Sequence, residues 1–273
     1  KQLGYCGIGH VIEVGPDVKD LTIGQRVLVY HGKHTEVNVV PRIKITPVTQ
    51  ENLDSVEAAF VIIAAMGLGG ARRLKLELGE SAMVMGLGLL GTFALQFLRL
   101  SGAYPLIAAD LNPARRELAL QLGADYALDP SEPDFADKVK AITGGVGVKA
   151  TVEVTGISAA LQQALKCAAR QGRISLLGCT RVSDCPIDFY KQVHVPGIQL
   201  IGAHNFVRPL YESQPHCWTH QDDCKAILAL LAAGRIQVKP IISRVVKPEE
   251  APQVYLQLCD DPAFPMGTVF DWR

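Results

Sequence analysis

Three glycines in the run "MVMGLGLLG", Gly86, Gly88 and Gly91, stand in the pattern G-x-G-x-x-G. An apolar strand-like run precedes them and a helix-like run follows. A second apolar run ends in Asp110, nineteen residues after Gly91. The pattern alone is common, but in this setting it describes a phosphate cradle. Gly86 permits a tight turn, Gly88 lets backbone approach a pyrophosphate, and Gly91 lets the helix lie close on the strand. Leu89 and Leu90 open that helix, where free N–H groups and the helix dipole favour an anion. Asp110 can accept hydrogen bonds from ribose hydroxyls and would repel a 2′-phosphate, which selects NAD over NADP. Leu111, Asn112 and Arg115 follow on the same side. Arg115 and Arg116 are able to serve a 2′-phosphate, and they also read as ordinary helix-surface charges. The bland alternative is a βαβ unit with no ligand.

These residues need elements that set them at strand ends. From about Met83, short apolar runs alternate with longer helical patterns. The strand-like runs are "AMVMG", "PLIAAD", "YALD", "ATVEVTG", "RISLLG" and "IQLIGAHN". Between them lie "LLGTFALQFLRLSG", "NPARRELALQLG", "DFADKVKAITGG" and "SAALQQALKCAARQG". Each helical run carries apolar residues at three- and four-residue spacing and reaches glycine near its end. Such alternation implies parallel strands with right-handed crossovers, an α/β Rossmann doubly wound sheet. Thr155 and Gly156 in "VEVTG", and Leu177, Gly178 and Cys179, then fall at the C-terminal strand ends, the edge that binds ligands. Glu153 reaches the same edge, for contact or for structure.

The flanks differ. "HVIEVG", "QRVLVY" and "TEVNVVP" read as short strands of an all-β unit. The C-terminal part offers a helix in "DDCKAILALLAAG", a strand "PIISRVV", a helix over 248–258 and a strand "GTVFDW". The expected division is a dinucleotide-binding domain over 64–206 inserted into a second domain built from 1–63 and 207–273.

The bulk numbers fit that outline. The chain has 273 residues, 48% apolar and 20% charged, with 27 acidic and 27 basic side chains. Nothing in this balance suggests a nucleic-acid footprint or an anionic membrane as partner. Ser81–Leu98 runs 18 residues without a charge, but its glycines, Thr92 and Gln96 suit a buried strand-turn-helix better than a membrane span. The chain opens on Lys1 without a recognisable targeting signal. Seven cysteines, an odd number with no C-x-x-C, predict reduced thiols in a cytoplasmic compartment.

Taken in order, "GHVIEVGPDVKDLTIGQRV", "VEAAF", "GLGLLG", "AADLNPARRELALQLGAD", "VEVTG", "GRISLLG" and "LLAAGRI" make the chain resemble the medium-chain dehydrogenase/reductase superfamily, in its alcohol and polyol dehydrogenase group. The resemblance covers nearly the whole chain. It implies a GroES-like substrate domain (here lacking its first strands), a Rossmann domain, a cleft between them, and a homodimer formed through a Rossmann edge strand near Ile198–Ala203.

Zinc-using relatives carry Gly-His-Glu before the "G-x-V-x-x-V-G" run; here Gly4, Tyr5 and Cys6 stand there, so Tyr5 replaces the histidine ligand. A second ligand position falls on Val61 or Ile62, which cannot bind metal. The four-cysteine lobe of structural-zinc relatives has no counterpart after "GQRV", and the remaining family ligand would lie before Lys1. No metal site is therefore expected. The stretch "HCWTHQDDC" supplies His216, Cys217, His220 and Cys224, ligand types that suit zinc at a spacing that matches no common finger; it also reads as the approach to a helix capped by Thr219 or Asp222.

Without a metal, charge developing on the substrate oxygen needs a hydrogen-bond donor. Tyr5 is the candidate, weighed against a tyrosine packed in the domain wall. Cys6 reads as a small apolar filler, and His31, His34, His194 and His204 as other proton carriers or ordinary loop histidines. The reading is a zinc-independent, NAD-dependent oxidoreductase acting on a small alcohol, carbonyl or polyol. Its alternatives are an NADPH-dependent reductase of quinones or activated alkenes and a non-catalytic dinucleotide-binding protein.

Overall fold

The computed structural model describes residues 4–179, 184, 186–261 and 264–273. In chain order the elements are β1 (Cys6–His10), β2 (Arg26–Tyr30), β3 (Ile45–Pro47), α1 (Ser55–Ala58), α2 (Val61–Arg73), β4 (Ala82–Met85), α3 (Leu89–Leu100), β5 (Leu106–Ala109), α4 (Pro113–Gln121) and β6 (Tyr126–Leu128). They continue as α5 (Phe135–Ile142), β7 (Val148–Glu153), α6 (Ser158–Cys167), β8 (Ala168–Leu176), β9 (Gln199–Gly202), α7 (His220–Ala232), β10 (Ile242–Val246), α8 (Ala251–Asp260) and β11 (Gly267–Phe270). Two compact units result: the described residues of Lys1–Ile63 with Cys224–Arg273, and Ala64–Asp223.

The second unit is a parallel sheet in the order β6-β5-β4-β7-β8-β9. Counted from β4, that is the 3-2-1-4-5-6 order of a doubly wound nucleotide fold. Strands buried on both faces read as continuous apolar runs, and β4, β5 and most of β7 are fully buried. Met83, Ile107, Phe135, Val139, Val148 and Ile174 share one core cluster. The run Ser81–Leu98 is β4, its turn and α3, and α3 buries Phe93, Phe97 and Leu98. Burying each such side chain contributes roughly 1.5–3 kcal/mol. Among the described residues no helix is long and apolar enough to cross a membrane.

α6 ends sooner than its sequence pattern implies. The run through Gly172 reads as helix, yet Ala168 already belongs to β8. The register with β7 shifts between Val148 and Ala150, and Gln171 has φ +60, so a bulge absorbs residues that look helical by composition.

In the first unit β1, β2 and β3 form an antiparallel sheet and β10 pairs with β11 in parallel. Two strand expectations shift here. Strand β1 is Cys6–His10, and beyond His10 "HVIEVG" continues toward β2 through the Val11–Gln25 and Gly24–Val11 backbone bonds alone, Gly15 accepting instead from the Val18 N–H of its own turn. "TEVNVVP" is not a strand at all: Val39 is 98% exposed, and β2 takes β3 as its partner, aligning Leu28 with Thr46. Alternation of β-branched residues makes a strand only where one face is buried, and Ile45 and Thr46 have that burial. The C-terminal helix and strand expectations match α7, β10, α8 and β11, and Thr219 caps α7 by accepting from the Asp222 N–H at 3.1 Å.

Candidate functional site

Strand order reverses between β5-β4 and β7-β8, and the turns leaving β4 and β7 meet at that crevice. Gly86 has φ +95, and a Cβ on it would lie 2.8 Å from Thr155 Cγ2, so both backbone and packing require glycine. A Cβ on Gly91 would lie 2.9 Å from the Gly86 carbonyl carbon, which is how the first turn of α3 closes on the strand end. Gly88 is different. Its φ of −69 and ψ of −171 suit any residue, and a Cβ there meets nothing within 4 Å. The protein itself makes no demand for glycine at Gly88; an approaching ligand would. The open side of the turn also faces the first N–H groups of α3, from Leu89 and Leu90, which have no partner within the helix.

Asp110, at the end of β5, is nearly buried. One carboxylate oxygen accepts the Leu87 N–H at 2.7 Å and the other accepts the Asn112 N–H at 2.8 Å. The acid thereby braces the glycine turn from the neighbouring strand and keeps lone pairs for further donors. Arg116 is spent on the loop, donating to the carbonyls of Asp110 and Leu111 and pairing with Asp129 at 3.0 Å. Arg115 alone faces the Asp110 carboxylate, at 3.8 Å. Asn112 caps α4 by accepting from the N–H groups of Ala114 and Arg115, and Leu111 is exposed beside it.

On the other side of the crevice, Glu153 is buried and its carboxylate accepts the Thr155 N–H at 2.7 Å, the Thr155 hydroxyl and the Gly156 N–H at 3.2 Å. Its backbone carbonyl accepts from Leu177 and Gly178. Glu153 therefore shapes the turn. Gly156 has φ +68, and a Cβ on Gly178 would lie 2.8 Å from the Val154 carbonyl carbon, so the turns after β7 and β8 stand back to back. Cys179 is exposed just beyond. The cofactor residues expected from sequence thus assemble along one sheet edge.

In the first unit, Tyr5 is 39% exposed and its carbonyl accepts the His31 N–H at 2.8 Å, extending the β1-β2 ladder. The rings of Tyr5 and His31 lie 6.0 Å apart, and those of Tyr30 and His31 4.2 Å apart. Burial first, then Cys6 and Tyr30, push the Tyr5 phenol above its ordinary range, so it stays protonated through neutral pH. Burial pushes the Cys6 thiol up to about 12, although the Ile63 backbone at its sulfur acts in the opposite direction. Val61 and Ile62 are buried hydrocarbon. Zinc takes thiolate, imidazole or carboxylate. A phenol at Tyr5 and hydrocarbon at Val61 and Ile62 do not supply these, so no chemical step is routed through a metal.

The histidines are scattered. His34 hydrogen-bonds Tyr255 through Nδ1 and meets Phe270 edge-on; His194 stacks on Tyr190; His204 Nδ1 accepts from the Phe206 N–H at 3.2 Å. Among the described residues no three of His, Cys, Asp and Glu converge on a point, the "HCWTHQDDC" stretch included. Sequence reading gave no hint of one cluster, Arg72, Arg73, Arg208, Trp218 and Asp223. Its members come from α2, the segment after β9 and the start of α7, and no spacing links them.

The sheet order, the glycine turn and the acid at the end of β5 define a dinucleotide-binding α/β protein. A family model described as "Zinc-binding dehydrogenase" matches residues 90–212. L-threonine 3-dehydrogenase of Thermococcus kodakarensis is 30% identical over 90% of this chain and 74% of its own length. D-guloside 3-dehydrogenase of Escherichia coli is 28% identical over 98% of this chain and 77% of its own. The solved alcohol dehydrogenase TADH of Thermus sp. ATN1 superposes with a TM-score of 0.83 at 24% identity, covering 98% of this chain and 84% of that one. The chain belongs to the medium-chain, zinc-binding dehydrogenase family and is an oxidoreductase of that type.

Proposed function

We propose that the protein is an NAD-dependent dehydrogenase that moves a hydride between the nicotinamide and a small secondary alcohol or its ketone, without zinc. The observation that carries this reading is the contrast between two places: a glycine turn braced by Asp110 and open where a pyrophosphate would approach, and ligand positions filled by Tyr5 and by Val61 or Ile62. Relatives named for oxidising threonine, gulosides and alcohols support an alcohol carbon as the reacting centre.

NAD, when bound, supplies the hydride acceptor. The chain's residues do the rest. Gly86, Gly88 and Gly91 with Leu89 and Leu90 hold the pyrophosphate. Asp110 takes the adenosine ribose, with Leu111, Asn112 and Arg115 beside it. Thr155, Gly156, Leu177, Gly178 and Cys179 border the nicotinamide half. Tyr5 is the donor we assign to the substrate oxygen, by its place in the ligand order and its protonated phenol. A phenol that keeps its proton stabilises charge on oxygen by hydrogen bonding; the proton released on oxidation goes to water.

The setting we propose is the reducing cytoplasm, supported by six free cysteines among the described residues, with Cys185 outside them. The protein pairs with a second copy through β9, which forms an edge of the sheet and is flanked in sequence by exposed Phe189, Tyr190, Phe206 and Tyr211. Side-by-side titration with NADH and NADPH tests the cofactor assignment: tighter NADH binding is expected, and a marked preference for NADPH points instead to the alkene or quinone reductase.

A further inference from the structure

Within the second unit, α2 and the segment from Ala203 to Asp223 enclose a cleft of about 270 Å³, counting its mouth. Its charged lining is Arg72, Arg73, Arg208 and Asp223. Asp223 is completely buried, and each of its oxygens is taken: Arg72 Nε donates to one at 2.7 Å, and Arg208 Nη1 to the other. Arg208 is saturated further by the carbonyls of Ala65 and Trp218. Arg72 also lies 3.8 Å over the Trp218 ring, which fixes its plane. Three guanidinium charges against one carboxylate leave two positive charges in the lining.

Unpaired donors remain in that cleft. Arg73 Nε is buried and has no hydrogen-bond partner among the described residues, while Arg73 Nη1 donates to Cys217 Sγ at 3.8 Å. The Nη atoms of Arg72 have no partner among the described residues. His204 also lines the cleft, and its Nδ1 accepts from the Phe206 N–H, so a ring proton sits on Nε2 as a donor. His216, which closes the tight turn between Gln214 and Cys217, is held at φ +61, a left-handed conformation that strains a non-glycine residue. A buried cationic donor with no acceptor carries a desolvation cost that only an acceptor-rich ligand relieves.

We propose that this cleft is an anion site, taking a small oxyanion, a phosphate or a carboxylate, on Arg73, the free nitrogens of Arg72 and His204 Nε2. It uses none of the residues assigned to the dinucleotide, so it stands independently of the hydride-transfer reading.

Trp218 reports on the site through its stack with Arg72. In a Trp272→Phe background, which leaves Trp218 as the remaining tryptophan, inorganic phosphate and sodium acetate are each titrated at ionic strength held constant with sodium chloride. The expected result is a saturable change in Trp218 emission with at least one of them, kept when NADH is saturating. Saturation by phosphate marks a phosphoryl site, and saturation by acetate a carboxylate site. Arg73→Gln weakens the response at least tenfold while NADH affinity is unchanged. Arg73→Lys, which keeps the charge but loses the buried Nε donor, weakens it to a lesser degree, and thermal melts establish that both variants fold. Overturning results are the absence of saturation with both anions, an identical response in Arg73→Gln, or a response abolished by NADH, which would make the cleft part of the cofactor's own pyrophosphate site.

Discussion

Gly88→Ala separates what the fold requires from what the ligand requires. The position has φ −69 and ψ −171, and an added Cβ meets no protein atom within 4 Å. A methyl there costs a few tenths to about 1 kcal/mol at a helix N-cap and returns about 0.4–1 kcal/mol by restricting the unfolded chain. Folding stability should therefore change by less than about 1 kcal/mol. The same methyl stands where a pyrophosphate must approach the backbone, and loss of close contact should weaken NADH binding by tenfold or more, on the order of 1.4 kcal/mol. Gly91→Ala is the control, because its Cβ would drive into the Gly86 carbonyl and destabilise the fold itself, by about 1–3 kcal/mol or more. Urea denaturation gives the stability and NADH fluorescence titration gives the affinity, on the same preparations. A Gly88→Ala protein that binds NADH as tightly as the parent would refute the assignment of this turn as the pyrophosphate cradle.

Three further outcomes follow from other parts of the molecule. Asp223→Asn should cost about 3–5 kcal/mol in urea denaturation, because Arg208 and Arg72 lose a buried counter-charge; a change under 1 kcal/mol would show that the network is dispensable. Asp110→Ser should weaken NADH binding and, with Arg115 now free of its carboxylate partner, bring NADPH at least tenfold closer to NADH in affinity; Arg115→Gln on top should reverse the NADPH gain. Cys6 has a folded-state thiol at about 12 against 9.0 for the unfolded chain. Its contribution to stability is therefore complete below pH 9 and is lost as pH rises from 9 towards 12. Urea midpoints should fall across that window, less steeply in Cys6→Ala, with Cys167 contributing in the same direction.

The parallel-sheet unit was legible because buried parallel strands write themselves as uninterrupted apolar runs, and because "GLGLLG" and Asp110 have one physical reason for their spacing. The edges of the β unit were less so. "TEVNVVP" has the composition of a strand, but what makes β3 instead is burial of Ile45 and Thr46 against β2, which depends on residues fifteen and more positions away. The end of α6 was hidden by a bulge at Gln171, whose left-handed backbone no propensity predicts. In the candidate site, the turn and strand-end residues that pattern picks out do lie along one sheet edge. The bracing of Asp110 by Leu87 and Asn112 could not, nor could the arginine cleft, since Arg72, Arg208 and Asp223 meet only through the tertiary fold.

Hydride transfer is proposed to run without zinc in this member of a zinc-binding family, with the phenol of Tyr5 and the hydrocarbon of Val61 or Ile62 at the ligand positions. Zinc content of a preparation that turns over, measured by elemental analysis before and after exhaustive chelation, tests it most directly. Far less than one zinc per chain is expected, with NAD-linked activity unchanged by the chelator. One zinc per chain, lost together with activity and restored with it, would contradict the account.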